Sequence, residues 1–239
     1  MSGILQIADA PALVADGVGR RFGGTWAVCE VSFALAAGEA VLVAGRNGSG
    51  KSTLLRLLAG ALRADRGQIR VEGHGSRAEL RARTALLAHD TFAYEPLTAL
   101  ENLELFARVL RRPAGRKSLV ARLVEVGLES SADAQVRTFS AGMHQRLALA
   151  RLLLQEPTVA LLDEPHAALD ALGMRQVDEL VLGLKRRGAA VVLATHDVRR
   201  TAALCERGII LERGRIQWTG PARTIPGGGV TSSLLEEAV

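Results

Sequence analysis

The stretch from Gly45 to Ser52 constrains the fold of this chain more than any other, because it reads Gly-Arg-Asn-Gly-Ser-Gly-Lys-Ser. It matches the pattern G-x-x-x-x-G-K-[ST] at every defining position. The apolar residues 39–45 before it predict a short buried strand, and residues 53–60 after it have the apolar spacing of a helix. A turn from strand to helix directs backbone N–H groups and the positive end of the helix dipole toward an anion. The stretch therefore predicts a nucleotide site in an α/β fold.

The residues of this loop have separate predicted roles. Glycines let the chain wrap a phosphate without Cβ clashes. Lys51 is expected to reach the β- and γ-phosphates, and the Ser52 hydroxyl is expected to ligate Mg²⁺. The nucleotide-binding residues predicted here are Gly45, Asn47, Gly48, Ser49, Gly50, Lys51, Ser52 and Thr53. The alternative interpretation is a chance glycine-rich turn with an exposed lysine.

Composition restricts the class of protein only loosely. The net charge is +5, from 30 Lys and Arg against 25 Asp and Glu, and the arginines are scattered, which favours a solvated surface over a nucleic-acid-binding one. Cys29 and Cys205 lack metal-ligand spacing and are predicted to be buried thiols. No apolar run approaches the roughly 18 residues of a membrane span, and no signal peptide is predicted. Work at a membrane would therefore require a second protein.

The N-terminal part predicts an antiparallel pair of strands, residues 12–22 and 26–35, joined by a Gly-Gly-Thr turn. Phe22 and Trp26 are two of only eight aromatic residues in the chain. Either ring could stack on a purine base. We interpret Trp26 as a core residue and leave Phe22 open between stacking and packing.

Three later apolar runs, residues 84–88, 159–163 and 189–195, predict buried strands that end in polar residues. The second ends in Asp163 and Glu164, and a carboxylate at such a strand end is how P-loop enzymes hold Mg²⁺. The two side chains leave an extended strand on opposite sides, so Asp163 is expected to orient Mg²⁺ and Glu164 is expected to polarise the attacking water. His89 and His196 follow the other two strands, and at least one of them is expected to be a site residue.

The remaining regions complete a single predicted domain, residues 1–239. Residues 98–156 have helical spacing and predict a helical insertion in the sheet, within which Ser140 is the N-cap of a helix. Residues 207–218 predict a hairpin that turns at Arg213-Gly214. Residues 221–239 predict a mobile linker followed by a short helix.

With these residues in place, the chain resembles the nucleotide-binding domains of ATP-binding cassette (ABC) proteins over nearly all of residues 12–220. The resemblance rests on several motifs in the order of that family. These are Phe22 at the adenine-stacking position, Gly45 to Ser52 as Walker A, His89 at the usual glutamine that contacts Mg²⁺, Ser140-Ala141-Gly142 as the signature, Asp163-Glu164 as Walker B, Ala168-Leu169-Asp170 as the D-loop, and His196 as the switch histidine.

The resemblance implies a P-loop core with a parallel sheet, an N-terminal antiparallel subdomain and an inserted helical subdomain. It implies Mg²⁺-dependent ATP hydrolysis by a head-to-tail dimer, a homodimer or a pseudo-symmetric pair, in which Ser140 of one subunit faces the ATP held by the other. It also implies a cytoplasmic subunit beneath a membrane permease, which would contact the loop carrying Phe92 and Tyr94. Alternatively, both rings pack on the chain's own helices. No nucleic-acid partner is expected.

Departures from the family pattern suggest a subfamily. Ala141, Met143 and His89 replace a glycine, a polar residue and a glutamine. His89, the Ser-Ala-Gly signature and the stretch Leu97–Leu103 are similar to the haem exporter ATPase of cytochrome c biogenesis. The alternatives are the ATPase of another small-substrate exporter, a soluble cassette that acts on ribosomes or DNA, and a P-loop phosphotransferase.

Overall fold

A computed structural model describes residues 11–88, 93–112 and 115–226 of the chain. The strands in this part are β1 (Leu13–Phe22), β2 (Thr25–Leu35), β3 (Ala40–Ala44), β4 (Arg66–Val71), β5 (Thr84–Leu87), β6 (Val159–Asp163), β7 (Ala190–Ala194), β8 (Arg207–Glu212) and β9 (Arg215–Pro221). The helices are α1 (Lys51–Leu58), α2 (Arg77–Arg83), α3 (Ala99–Val109), α4 (Arg116–Glu125), α5 (Ala141–Gln155), α6 (Ala171–Arg186) and α7 (Val198–Ala202).

The strands form two sheets of different type. The smaller sheet has the order β2-β1-β4, and both of its pairings are antiparallel. The larger sheet has the order β5-β6-β7-β3-β8-β9, in which only the β8–β9 hairpin at the edge is antiparallel. This hairpin turns at Arg213 and Gly214, as predicted, and both residues have positive φ, which suits a tight two-residue turn. The predicted fold class is confirmed.

The larger sheet has a hydrophobic core on each face. Val41 and Val43 of β3 belong to a core that includes α1 and the smaller sheet, whereas Leu42 and Ala44 face a core formed with α3 to α6. Successive side chains of a strand point to opposite faces, so a fully apolar strand is buried on both. This explains why β3, β6 and β7 are apolar throughout and accept polar residues only where they end.

The strand order brings these ends together. β7 lies between β6 and β3, and Ala194 is in register with both Asp163 and Val43. The Thr195 amide donates a hydrogen bond to the Val43 carbonyl. The residues after β3, β6 and β7 therefore meet at one edge of the sheet, where ligands bind in open α/β folds.

The residues between β5 and β6 are mainly helical, although these two strands are neighbours in the sheet. Short 3₁₀ turns at Glu129–Ser131 and Val136–Thr138 separate α4 from α5. Ser140 accepts a hydrogen bond from the Met143 amide, which confirms it as the N-cap of α5.

Several features differ from the sequence predictions. Helix α2 was not predicted, although Ser76 and Glu79 form a capping box at its start. The prediction of a mobile linker from residue 221 is wrong for residues 221–226, because Ala222 and Ile225 are buried against the core beside β8. The rest of that tail, residues 227–239, lies outside the described residues.

Two other expectations concern burial and membrane insertion. Cys29 and Cys205 are buried free thiols, as predicted. Among the residues that the structure describes, no helix is both long and apolar enough to cross a bilayer.

Candidate nucleotide site

The phosphate loop between β3 and α1 depends on glycine at positions where no side chain fits. Gly45 has φ 155°, and a Cβ there would lie 2.3 Å from the Leu211 carbonyl oxygen. Gly50 has φ 106°, and a Cβ there would lie 2.2 Å from the Ala27 carbonyl oxygen. Both distances are far below van der Waals contact, so the loop is held tightly against its neighbours.

The support beneath the loop comes from the β8–β9 turn. The Gly214 amide donates to the Ser49 carbonyl over 2.9 Å, and the Gly214 carbonyl accepts from the Cys29 amide over 2.7 Å. The turn thus joins the loop to β2 of the smaller sheet. Contacts from both sheets therefore shape this loop.

The first turn of α1 has polar groups that the described part of the chain does not satisfy. Its N-cap is Gly50, and no side chain caps it. The Ser49 hydroxyl is buried and has no hydrogen-bond partner among the described residues. A phosphate can accept hydrogen bonds from uncapped helix N–H groups and from a hydroxyl beside them. The loop therefore fits an anionic ligand.

Lys51 places a cation beside these donors. The residue is buried, and its Nζ donates to the carbonyls of Gly45 at 2.7 Å and Arg46 at 3.3 Å. An ammonium has three N–H donors, so one remains after these two bonds. Ser52 and Thr53 follow in the same turn and are half-buried.

Asp163 provides the opposite charge at the end of β6. It is buried, and the described part of the chain offers its carboxylate no hydrogen bond. A buried carboxylate is costly unless it is paired or bound to a cation. Within the described residues no cluster of three or more His, Cys, Asp or Glu side chains is placed to hold a metal. Asp163 thus fits Mg²⁺ of the type that takes one or two protein ligands and completes its shell with phosphates and water.

The side chain of Glu164 is oriented in a different way from the one predicted. The prediction assumed an extended strand, whereas Glu164 follows the end of β6 and has φ 49°, in the left-handed region. Its amide donates to the Ala194 carbonyl, and its carboxylate accepts from the Thr195 hydroxyl at 2.8 Å and from the His196 amide at 3.1 Å. The carboxylate is thus oriented by the end of β7 and not by strand alternation.

His196 makes a direct pair with this carboxylate. Its Nδ1 lies 2.9 Å from Glu164 Oε1, and its side chain is 74% exposed. The ring therefore stands at the surface with its Nε2 edge toward solvent. The structure brings the predicted Glu164 and His196 together, beside Asp163 and one strand away from the phosphate loop.

Phe22 ends β1 and is 48% exposed, so part of its ring is accessible to a ligand. The Arg20 guanidinium lies 5.0 Å from the ring centroid and is held by Asp65 at 3.0 Å. A hydrogen bond from the Arg21 amide holds the pKa of Asp65 below its usual value, which keeps that carboxylate charged. The guanidinium is within the range of a cation–π contact and helps to orient the ring.

The prediction that Trp26 is a core residue is wrong. The ring is half-buried and has two guanidinium groups near it, with Arg66 at 5.0 Å and Arg21 at 5.9 Å from its centroid. The cation–π contacts account for an indole on the edge of the smaller sheet.

The predicted signature residues lie at the start of α5. Ser140 and Ala141 are exposed, and Ala141 is helical, so alanine meets no backbone strain there. A Cβ at Gly142 would lie 3.0 Å from the Ala168 carbonyl oxygen, which explains glycine at this position. The Met143 side chain packs against the core of the helical region, so an apolar residue suits it.

Asp170 lies at the start of α6 close to these residues. It is exposed, and its Oδ1 caps the helix by accepting from the Gly173 amide at 2.7 Å. The predicted D-loop residue therefore has a structural role that is independent of any ligand.

Two predicted residues, His89 and Phe92, lie outside the described residues. Tyr94 follows them and is 62% exposed, which does not support packing of this ring on the chain's own helices. The buried Asn102 fixes its backbone, because the Asn102 amide accepts from the Tyr94 N–H at 2.8 Å and donates to the Tyr94 carbonyl at 3.0 Å.

Sequence analysis missed a group of side chains beside the site. His166 is buried and lies 2.8 Å from Asp178, which in turn pairs with Arg200. These residues come from a loop, from the middle of α6 and from α7, separated by 12 and 22 positions. No local pattern joins them, so only the tertiary structure reveals the group.

The comparisons with known proteins agree with this geometry. The profile of the ABC transporter family matches residues 28–167, more than half of the chain. The chain belongs to the ABC transporter ATP-binding family. It is 40% identical over 205 residues to the aliphatic sulfonates import ATP-binding protein SsuB 2 of Pseudomonas aeruginosa, covering 85% of this cassette and 73% of that protein. It is 33% identical over 216 residues to the Nod factor export ATP-binding protein I of Ralstonia nicotianae, covering 87% and 67%.

Solved structures of ABC cassettes share the fold. A dimeric post-hydrolysis structure of the cassette MJ0796, bound to ADP and Pi, matches with a TM-score of 0.81 and 27% identity, covering 89% of this cassette and all of that chain. A second structure of MJ0796 is also dimeric and matches with a TM-score of 0.81 and 28% identity, over the same shares of the two chains. The present cassette is thus an ABC ATPase subunit with an ATP-binding site.

Proposed function

We propose that this cassette hydrolyses ATP with Mg²⁺ as one half of a dimer and thereby drives a separate membrane permease. The observation that carries the proposal is the meeting of three groups at one sheet edge. They are the uncapped start of α1 with Lys51, the buried Asp163 with no hydrogen bond from the described residues, and the paired Glu164 and His196.

Each group has a distinct role in this proposal. The loop residues Gly45 to Thr53 hold the phosphates, with Lys51 on the terminal ones. Ser52 and Asp163 hold Mg²⁺, which when bound would neutralise charge on the β- and γ-phosphates. His89 joins this set by analogy with the family and is its only member outside the described residues. Phe22 stacks on the adenine through the exposed part of its ring.

The Glu164 carboxylate is suited to orient and polarise water. It accepts two hydrogen bonds from Thr195 and His196 that fix its direction, yet it is only partly buried. Its contact with His196 gives the imidazole one fixed edge and leaves the other for the terminal phosphate. The pair can therefore sense whether a triphosphate is present.

The dimer is needed because each subunit has a second helix start that receives no phosphate of its own. Ser140, Ala141 and Gly142 lie at the exposed N-terminus of α5, and Asp170 lies nearby at the start of α6. In a head-to-tail pair these residues would face the nucleotide of the other subunit, so that ATP joins the halves. The dimeric state of the MJ0796 cassette, which shares this fold, supports such a pair.

The permease is proposed to contact the exposed Tyr94 together with Phe92. An amphipathic aromatic ring on a backbone fixed by Asn102 is a suitable anchor for a partner. This contact would place the subunit at the cytoplasmic face of the membrane.

Two candidate substrates differ in their support. Sulfonate import is supported by the names of relatives, such as SsuB 2, that are up to 40% identical. Haem export for cytochrome c biogenesis is supported by the variants His89 and Ser140-Ala141-Gly142 and by the stretch Leu97–Leu103. Co-purification of the membrane subunit, followed by stimulation of ATPase activity by an alkanesulfonate or by haem, decides between them.

The test of ATP chemistry compares two lysines. Lys51→Ala should weaken ATP binding by about tenfold or more and abolish hydrolysis, because it removes the cation aimed at the terminal phosphates. Lys117→Ala removes an exposed lysine of α4 and should change neither. Equilibrium binding of ATP and phosphate release measure both. Equal ATP affinity in the two variants would contradict the phosphate-loop assignment.

A further inference from the structure

His166 is a buried histidine to which the proposed ATP chemistry gives no role. Its side chain is 6% exposed, and its Nε2 lies 2.8 Å from Asp178 Oδ1. An ionised carboxylate only accepts hydrogen bonds, so Nε2 carries the proton and donates. The other ring nitrogen, Nδ1, is buried and has no partner among the described residues. The ring is therefore placed as a fixed donor to Asp178 and not as a relay that passes a proton on.

Asp178 has a second partner on a different element. Arg200 Nη2 donates to its Oδ2 at 2.5 Å, and Arg200 Nε donates to its Oδ1 at 3.4 Å. Both side chains are only partly exposed, at 22% and 29%. A two-pronged guanidinium–carboxylate pair fixes direction as well as distance. Asp178, in α6, therefore holds the loop of His166 on one side and α7 on the other.

The two segments that Asp178 holds are those that carry the hydrolytic pair. His166 is two residues after Glu164, and Arg200 is four residues after His196. Glu164 and His196 touch each other at 2.9 Å. The contacts therefore form a closed ring, with the Glu164–His196 pair on one side and Asp178 on the opposite side.

The hydrolytic pair is held by the end of β7, but neither Glu164 nor His196 lies in a regular helix or strand, so support from other elements matters. Glu164 has φ 49°, a conformation that a non-glycine residue keeps only when its surroundings impose it. His196 is mostly exposed and lies between a strand and a five-residue helix. The loop after Glu164 is held on a second side by Gln145 of α5, whose Nε2 donates to the Pro165 carbonyl at 3.2 Å.

We propose that His166, Asp178 and Arg200 are positioning residues that keep Glu164 and His196 in the geometry required for hydrolysis; this rests on the proposed ATP chemistry. None of the three is placed on the nucleotide. They act in series, because the loop and α7 are joined through the shared Asp178. Breaking either contact therefore removes the link that Asp178 makes between the two segments, and breaking both should cost no more than breaking one.

The experiment uses the full-length subunit with ATP and Mg²⁺. His166→Phe and Arg200→Met remove one contact each while keeping bulk, and Asp178→Asn removes the charge that both share. His166→Gln restores an N–H donor at similar reach. The control is Asp133→Asn, which breaks an exposed pair with Arg116 at 3.0 Å on the helical region. The melting temperature of each variant is measured first, and all kinetics are run well below the lowest value.

The expected result is a loss of kcat of about tenfold or more for the first three variants, with ATP affinity changed by less than about twofold. His166→Gln should keep most of the activity. The double variant of His166 and Arg200 should match the single ones. Asp133→Asn should behave as the wild type.

The inference is overturned if His166→Phe is folded and keeps its kcat, if the two single losses multiply in the double variant, or if His166→Gln is as impaired as His166→Phe. These outcomes differ from a failure of the proposed function, in which the wild type and the Asp133 control would themselves hydrolyse no ATP.

Discussion

At the residue scale, the phosphate loop shows that matching a glycine motif and needing each glycine are different things. Gly48 and Gly50 both have positive φ, 80° and 106°. A Cβ at Gly48 would meet nothing within 4 Å, whereas one at Gly50 would meet the Ala27 carbonyl at 2.2 Å. The first glycine serves backbone conformation alone, and the second also serves a close approach to β2.

This difference predicts unequal effects of alanine. Gly48→Ala should cost about 1 kcal/mol in free energy of unfolding, through backbone strain alone. Gly50→Ala should cost about 2 to 4 kcal/mol, because the loop must also move away from Ala27, and ATP binding should fall with it. Denaturant unfolding and ATP titration of both variants measure this. Equal losses in the two would mean that the loop is free to shift.

Cys205 offers a pH prediction at the same scale. Burial raises the pKa of its thiol to about 12, so the folded protein keeps it protonated. The pKa of the thiol in the unfolded chain is about 8.5. The contribution of Cys205 to the free energy of unfolding is therefore complete below that pH and is lost as the pH rises toward 12. Iodoacetamide at pH 8 should therefore leave Cys205 unmodified in the folded protein and modify it readily in guanidinium, as mapped by mass spectrometry. Rapid modification of the native protein would contradict the burial of this thiol.

At the element scale, sequence patterns predicted those strands and helices whose determinants are local. The apolar runs of β3, β6 and β7 and the Ser140 cap of α5 are such cases. Helix α2 was missed because it buries Leu80 alone and so lacks apolar periodicity, although its Ser76 capping box was readable. The buried Ala222 and Ile225 were missed because their partners lie in β8 and neighbouring elements.

The residues of the candidate site also divide into those that local patterns predict and those that depend on tertiary contacts. Lys51, Asp163 and His196 are brought together because parallel strands end at one edge, which a sequence can predict. The backbone of Glu164 and the His166 group depend on contacts between elements far apart in sequence, for which no spacing rule exists.

Asn102 provides the element-scale prediction. It is buried in α3, and its side chain accepts from the Tyr94 amide and donates to the carbonyls of Tyr94 and Thr98. Asn102→Leu would leave the Tyr94 amide without its acceptor, whereas the carbonyls of Tyr94 and Thr98 still accept from the Leu97 and Asn102 amides. The variant should lower the free energy of unfolding by about 1 to 3 kcal/mol. Tyr94→Ala removes only an exposed ring, so it should leave stability unchanged and weaken permease binding. Urea unfolding separates the two variants. A stable Asn102→Leu protein would show that the Tyr94 segment is held by other contacts.

At the scale of the whole molecule, the central question is whether one subunit completes the site of another. Lys51 and Ser140 lie at the starts of two different helices, α1 and α5, in different parts of the fold. If they act on the same nucleotide only across a dimer, defects in them are complementary. A mixed dimer of a Lys51→Ala chain and a Ser140→Arg chain would have one site with both defects and one site with none.

Each variant alone should therefore be inactive, and mixing them should restore hydrolysis. In an equal mixture half of the dimers are mixed and each has one intact site, so activity should approach about a quarter of the wild-type value if sites act independently. Phosphate release, measured at rising protein concentration, tests this expectation. A mixture of Lys51→Ala with Glu164→Gln chains is the control. Lys51 and Glu164 of one subunit act on the same nucleotide. A mixed dimer of the two variant chains therefore has one defect in each site and should remain inactive. Restoration in this second mixture, or its absence in the first, would contradict the shared site.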